Sequence, residues 1–286
     1  MKKHTLAVSG WSLELGEKAR IMGIVNVTPD SFSDGGHFFD HRKAMEHGLE
    51  LAEAGADILD VGGESTRPFS DPVTVEEEMR RVIPVIEALR KKTGLPISVD
   101  TRRSATARAA LSAGATIIND VSALSDDPAM AALVAERGAA VILMHMLGSP
   151  KTMQQDPQYS DVVKEVRDYL EARVKFAVSA GIPKERIVID PGIGFGKTIE
   201  HNLALIRNIP AFDSLGVPVL IGHSRKAFIR RLLAADLGRE ADRGEIETGT
   251  QAVTAMCAAS GAHIIRVHDV KAARAAIILA RAIRPA

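Results

Sequence analysis

Eight times along the chain a short run of aliphatic and β-branched residues meets Gly, Asn, Asp or His and then gives way to helical spacing. The runs are IMGIVNV (21–27), DILDVGG (57–63), PISVDT (96–101), TIINDVS (116–122), AAVILMH (139–145), RIVIDPG (186–192), PVLIGHS (218–224) and HIIRVHD (263–269). Between them lie segments such as RKAMEHGLELAEAG and VEEEMRRVIPVIEALRKKTG, whose apolar residues recur at helix spacing. Gly55, Gly94 and Gly114 follow three of these segments and are expected to be helix C-terminal caps. Eight strand–helix units over about 265 residues fit a (β/α)8 TIM barrel in number and size. A doubly wound open sheet is the alternative, with fewer strands and a glycine-rich first turn. Here the first run leads into Asn26-Val27-Thr28-Pro29 instead. We therefore expect an α/β chain forming one barrel domain over residues 1–286. Residues 4–18 alternate Leu, Val and Trp with polar residues, the pattern of a β-hairpin closing the barrel bottom.

The composition agrees with parallel strands buried on both faces, being 46% hydrophobic but only 4% aromatic. With 36 basic and 36 acidic residues the formal charge is zero, so neither a nucleic acid nor a membrane surface is an expected partner. Cys257 is the sole cysteine; it excludes an internal disulfide and sits in the apolar helical run AVTAMCAAS as a buried small hydrophobe. The N-terminal stretch is a poor signal peptide, and no apolar run approaches the roughly 18 residues of a membrane span. The expected location is cytoplasmic.

The stretch DPGIGFGKT (190–198) ends like a phosphate-cradling loop. That motif places four residues between its first glycine and the Gly-Lys pair, yet the required position holds Pro191 and the nearest glycine, Gly192, is one residue too close. A nucleotide loop is not expected.

Active sites of such barrels lie at the C-terminal ends of the strands. Those ends carry Asn26, Glu64 to Arg67, Asp100, Asn119, His145, Asp190, Ser224 to Lys226, and Arg266 to His268. Asp100 and the Asn119-Asp120 pair are reasonable helix N-caps taken singly. Capping does not account for eight polar strand ends converging on one mouth. Lys226, Arg266 and Arg67, with His268, suit a phosphate or diphosphate. Asp100, Asp190 and Asn119 suit a neutral ring rich in N–H donors. Cations for a charged leaving group beside acceptors for a heterocycle imply group transfer, without naming the ring.

In order along the chain, NVTPDSFSDGG (26–36), GGESTRP (62–68), SVDT (98–101), INDVS (118–122), DPGIGFGK (190–197), SRK (224–226) and RVHDV (266–270) resemble dihydropteroate synthase. The likeness extends from about residue 20 to 275. The resemblance implies condensation of (7,8-dihydropterin-6-yl)methyl diphosphate with 4-aminobenzoate, giving 7,8-dihydropteroate and diphosphate for folate synthesis. It implies that Asn119, Asp190 and Lys226 read the pterin edge, with Met144 and Phe195 against the ring and Asp100 near its reacting side. Arg266 and His268 would hold the diphosphate, and Asn26 would be an oxygen ligand for Mg2+. Phe32 and Asp34 on the first loop, with Thr66, Arg67 and Pro68 on the second, would complete the aminobenzoate pocket beside Ser224 and Lys226. Thr66 would also reach the pterin diphosphate. Asp100, Arg266 and His268 would be catalytic. The resemblance further implies a homodimer through C-terminal helices, and sulfonamide sensitivity.

Two positions depart from the family pattern. Phe69 stands where a glycine is usual, and His223 where a non-ionisable residue is usual. His223 is expected to pack at the mouth, His145 to make a structural hydrogen bond, and His37, His41 and His47 to be solvated. His201 and His263 have no evident partner. Glu76 to Glu78 read as the acidic first turn of a helix. Two other readings remain: a pterin-dependent corrinoid methyltransferase, which would lack the Ser-Arg-Lys and Arg-Val-His strand ends, and a pterin-binding paralogue without synthase activity.

Overall fold

Side chains along a barrel strand alternate between the interior and the helical jacket. In Ile58–Gly62 this places Ile58, Asp60 and Gly62 inside and turns Leu59 and Val61 towards the helices, where both join the main apolar core. The computed structural model describes residues 2–8, 10–27, 41–64, 73–148 and 153–283.

The barrel strands are β3 (Arg20–Asn26), β4 (Ile58–Gly62), β5 (Ile97–Asp100), β6 (Ile117–Asp120), β7 (Ala140–Met144), β8 (Ile187–Asp190), β9 (Leu220–Ile221) and β10 (Ile264–Val267); the hairpin strands before them are β1 (His4–Val8) and β2 (Trp11–Leu15). Neighbours pair in parallel in the order β8-β7-β6-β5-β4-β3-β10-β9, and a bridge between Ile189 and Val219 joins β8 to β9. The ring is therefore closed, as the barrel reading requires and an open doubly wound sheet would not be. Register places Asn26 beside Gly62, Gly62 beside Asp100, and Asp100 beside Asn119, so the polar strand ends share one level.

The jacket is α1 (His41–Glu53), α2 (Val75–Lys92), α3 (Ser104–Ala113), α4 (Met130–Arg137), α5 (Val162–Ser179), α6 (Ile199–Arg207), α7 (Ala227–Leu237), α8 (Arg243–Ala259) and α9 (Val270–Ile283). Gly114 caps α3 in a left-handed conformation, and Gly55 follows α1 with φ 102°. Gly94 does not cap α2: extended Thr93 does so, its N–H donating to Leu89 O. The acidic turn of α2 forms as expected behind N-cap Thr74, but Glu78 is buried rather than solvated. Cys257 is free and buried, and burial pushes its thiol up to about 12.

The hairpin seals the bottom. Leu6, Val8 and Leu15 pack with inward Met22, Ile58, Ile117, Ala140, Ile142, Val188, Leu220 and Ile264 in one cluster. Fully burying a leucine contributes roughly 1.5–3 kcal/mol, so this layer anchors the barrel from below. His263 belongs here. Its Nδ1 accepts from Val219 N at 3.1 Å and its Nε2 lies 3.0 Å from Lys2 O, which supplies the partners its sequence context does not reveal. Among the described residues no helix is long and apolar enough to cross a membrane.

Candidate active site

Inward positions change character with height. Apolar residues fill the bottom layer, and on four strands the next inward position is polar: Asp60, Asn119, Asp190 and Arg266. Four strands thereby deliver charge or amide groups into a space the helices cannot reach. A buried charge must be paired or hydrogen-bonded to persist, and each of these is. Arg266 Nε donates to Asp60 Oδ2 at 2.6 Å, and its Nη2 donates to Asp100 Oδ2 at 2.8 Å. Asn119 Nδ2 donates to the same Asp60 oxygen at 3.1 Å. Against the cost of burial, the Asp60 and Asp100 carboxylates raise the Arg266 pKa. Burial pushes the Asp100 carboxyl up to about 7 despite the pull of Arg266, with Asp60 adding repulsion.

Asp190 lies across the mouth. Its Oδ1 accepts from Gly192 N at 2.7 Å, while burial lifts its carboxyl to about 6. Gly222, just past β9, leaves that carboxylate uncovered: a Cβ there would stand 3.7 Å from Asp190 Oδ2. Lys226 is the N-cap of α7, and its Nζ lies 3.8 Å from the centre of the Phe195 ring. Phe195 and Met144 form an apolar wall with Val121 and Met153, and Met146 packs against it. Such a face suits a flat ring whose edge meets Asp190 and Asn119.

The Ser224–Lys226 turn depends on Arg225, which holds φ 56°, an uncommon value for a non-glycine residue. Arg225 is tied down by Thr250 Oγ1 and by Glu247, at 2.8 Å from its Nε. Ser224 accordingly points at strand β10. Its Oγ accepts from His268 N at 3.3 Å and lies 2.9 Å from His268 Nδ1. The hydroxyl oxygen has two lone pairs, so this contact fixes the position of the imidazole whichever ring nitrogen carries the proton.

The lysine of the DPGIGFGKT stretch turns inward. Lys197 is 3% exposed; its Nζ donates to Phe195 O at 2.9 Å and lies 3.0 Å from His145 Nδ1. Burial lowers its pKa to about 7, and burial together with Lys197 lowers His145 to about 3. Lys197 therefore braces the loop that carries Phe195, and Thr198 caps α6. His145 makes the structural contact expected of it. His223 also packs as expected, fully buried with Nε2 3.1 Å from Thr250 O and 2.9 Å from Thr254 Oγ1, and burial lowers it to about 4.

Several expectations need correction. Neither Asp100 nor Asn119 is a helix cap: Arg103 is the N-cap of α3, and Asp127 Oδ2 accepts from Ser104 N. Asp120 binds the N–H groups of Ser122 and Leu124 and holds the turn after β6. His201 does have a partner, forming a capping box with Thr198. His41 reaches Arg80 O, at 3.0 Å from its Nε2. Phe32, Asp34, His37, Thr66, Arg67, Pro68 and Phe69 lie outside the described residues. The stems of the second loop are described: Arg103 Nη2 donates to Glu64 Oε1 at 2.9 Å and to Val73 O at 2.8 Å, while its Nη1 holds buried Glu78.

Asp60 is the site residue that strand-end reading missed, because it lies mid-strand. Alternation within 58–62 would have found it, as the one charged residue on a strand otherwise apolar or glycine.

Among the described residues no group of three or more His, Cys, Asp or Glu could hold a metal ion. Asn26, part-exposed at the end of β3, offers one amide oxygen. That donor set fits a hard cation bound mainly by phosphate oxygens and water.

A sequence model described as pterin binding enzyme matches residues 22–268. The dihydropteroate synthase of Escherichia coli K12 is 46% identical over 266 residues, covering 93% of this chain and 92% of that protein. The Xanthomonas albilineans dihydropteroate synthase solved with 4-aminobenzoic acid superposes with a TM-score of 0.90 at 47% identity over all of both chains. The same organism's enzyme in complex with 7,8-dihydropteroate gives 0.86 at 45% identity, covering 99% of each chain. With its closed ring, its buried acceptors and its cationic strand ends, the chain belongs to the dihydropteroate synthase family of pterin binding enzymes.

Proposed function

We propose that the chain joins (7,8-dihydropterin-6-yl)methyl diphosphate to 4-aminobenzoate, forming 7,8-dihydropteroate and releasing diphosphate. One observation carries the reading: the mouth sets acceptors Asp190 and Asn119 beside Arg266, Lys226 and an oriented His268. Relatives of the same fold bind 4-aminobenzoic acid and 7,8-dihydropteroate, which supports both ends of the reaction.

The chain's own groups divide the work. Asp190 accepts the 2-amino and ring N–H donors of the pterin, and those donors favour the ionised carboxylate that burial opposes. Asn119 and Lys226 address the remaining ring edge, and Phe195 and Met144 cover its faces. An aryl amine is neutral at pH 7, so the nucleophile needs no strong base. The demanding step breaks the methylene C–O bond, with the electron pair leaving on diphosphate. Arg266 and His268 meet that charge, and Asp100 faces the cationic pterin. The amine then forms the C–N bond and loses its proton to solvent. Catalysis on this account is positioning and preorganised electrostatics. Asn26 would hold Mg2+, which when bound neutralises charge on the leaving group.

The reading includes a cytoplasmic location and a homodimer. Exposed Met256, Ile278, Leu279 and Ile283 on α8 and α9 support a partner there. The direct test is diphosphate release from the pterin diphosphate with Mg2+, with and without 4-aminobenzoate. Release that depends on the amine, with dihydropteroate formed, is expected. Pterin binding without such release would favour the paralogue that binds but does not condense.

A further inference from the structure

We infer that Asp60 is the positioning residue for the diphosphate-binding arginine: it holds Arg266 by Nε, so that the guanidinium's outer edge exchanges between Asp100 and the leaving group. This deepens the reading above and rests on it. The two carboxylates on Arg266 are not equivalent. Asp60 is wholly enclosed, whereas the Asp100 side chain is 11% exposed and that of Arg266 is 20% exposed. Asp60 lies on the inward face of β4 one residue pair below Gly62, and Gly62 shares a level with Asp100. A ligand entering the mouth therefore meets Asp100 and the Nη edge before anything reaches Asp60.

The geometry of the fork gives the two contacts different lifetimes. Arginine presents five N–H donors in a rigid plane. The 2.6 Å bond to Asp60 occupies only Nε, leaving four donors at the outer end. Nη2 donates to Asp100 at 2.8 Å and can transfer to a phosphate oxygen by a small swing about the fixed Nε. The same Asp60 oxygen holds the Asn119 amide, so one buried atom indexes a cation for the diphosphate against an amide for the ring. Asp60 Oδ1 is buried with no hydrogen-bond partner, which leaves the carboxylate dependent on Arg266 for compensation. Asp60 itself touches no substrate.

A structural counter-ion would stabilise the whole site, whereas a positioning residue acts on the part of the ligand that Arg266 meets. Asp60→Asn keeps an amide oxygen for Nε and Asn119 Nδ2 and removes the charge. Binding is measured calorimetrically for 6-hydroxymethyl-7,8-dihydropterin diphosphate and for 6-hydroxymethyl-7,8-dihydropterin, both with Mg2+. The diphosphate-bearing ligand is expected to weaken about tenfold or more and the diphosphate-free ligand by less than about threefold, since only the former engages the unmoored cation. On an Arg266→Gln background the same substitution should change neither, because no cation remains to be positioned and the Asn oxygen still accepts from Asn119 Nδ2. Equal weakening of both ligands, no weakening, or an effect that persists without Arg266 would overturn the inference. If Asp60→Asn fails to fold, Asp60→Glu, which keeps the charge but displaces it by one methylene, carries the same comparison. These measurements involve no aminobenzoate and no turnover. Wild-type protein lacking aminobenzoate-dependent release would therefore sink the synthase reading alone.

Discussion

Replacing Asp100 by Asn tests whether burial or Arg266 governs this carboxylate. Burial moves its pKa from 3.8 to about 7, against the 2.8 Å contact with Arg266. Because the folded pKa lies above the unfolded one, the folded chain binds more protons between pH 4 and 7. The Asp100 contribution is thus fully present below pH 4 and is lost as pH rises through 7. At about 1.4 kcal/mol per unit, that loss is at most roughly 4 kcal/mol. An Asn does not titrate and escapes it, but its amide must face Arg266 Nη2, which offsets part of the gain. Arg266 retains Asp60 in either protein. We expect Asp100→Asn to exceed wild type by about 1–3 kcal/mol at pH 8, a Tm gap of roughly 2–5 °C for a chain of this size. The gap should shrink towards pH 4. Thermal unfolding without pterin from pH 4.5 to 8.5 measures it, and diphosphate release measures the accompanying loss of most turnover. A gap that stays constant, or widens towards low pH, would show that Arg266 holds Asp100 at or below its ordinary pKa. Near-normal turnover would remove Asp100 from the reaction.

Gly192 holds φ 71°, donates its N–H to Asp190, and leaves no room for a Cβ, which would collide with His145 O. Gly192→Ala should lower stability by about 2–3 kcal/mol and weaken the pterin at least about tenfold, since backbone strain and displacement of Asp190 act together; unchanged pterin affinity would refute this. Leu6→Ala, at the opposite end of the barrel, should cost about 2–4 kcal/mol by cavity formation while kcat in the folded protein stays at the wild-type value. If kcat fell with it, bottom and mouth would not be independent. Ile278, 58% exposed on α9, reads on assembly: Ile278→Glu should shift sedimentation towards monomer with little change in monomer folding. A wild-type protein that sediments as a monomer would end the homodimer proposal.

Eight apolar runs with polar ends determined the barrel and most of its mouth, because strand alternation and loop placement are local consequences of side-chain pattern. Asp190, Asn119 and Arg266 were legible because each stands at or next to a strand end, and Lys226 because it lies on the short turn that follows one. The hairpin was legible from its alternation. Tertiary structure alone decided which groups pair. Asp60 and Arg266 stand 206 residues apart, and only barrel closure brings them to 2.6 Å. Lys197 could be refused as a nucleotide lysine from spacing, but its burial against His145, 52 residues away, follows from how β7 and β8 lie side by side. The pKa values of Asp100 and Asp190 have the same origin. Sequence names the ionisable groups, whereas the charge each carries depends on the water that folding removes and the partners it supplies in return.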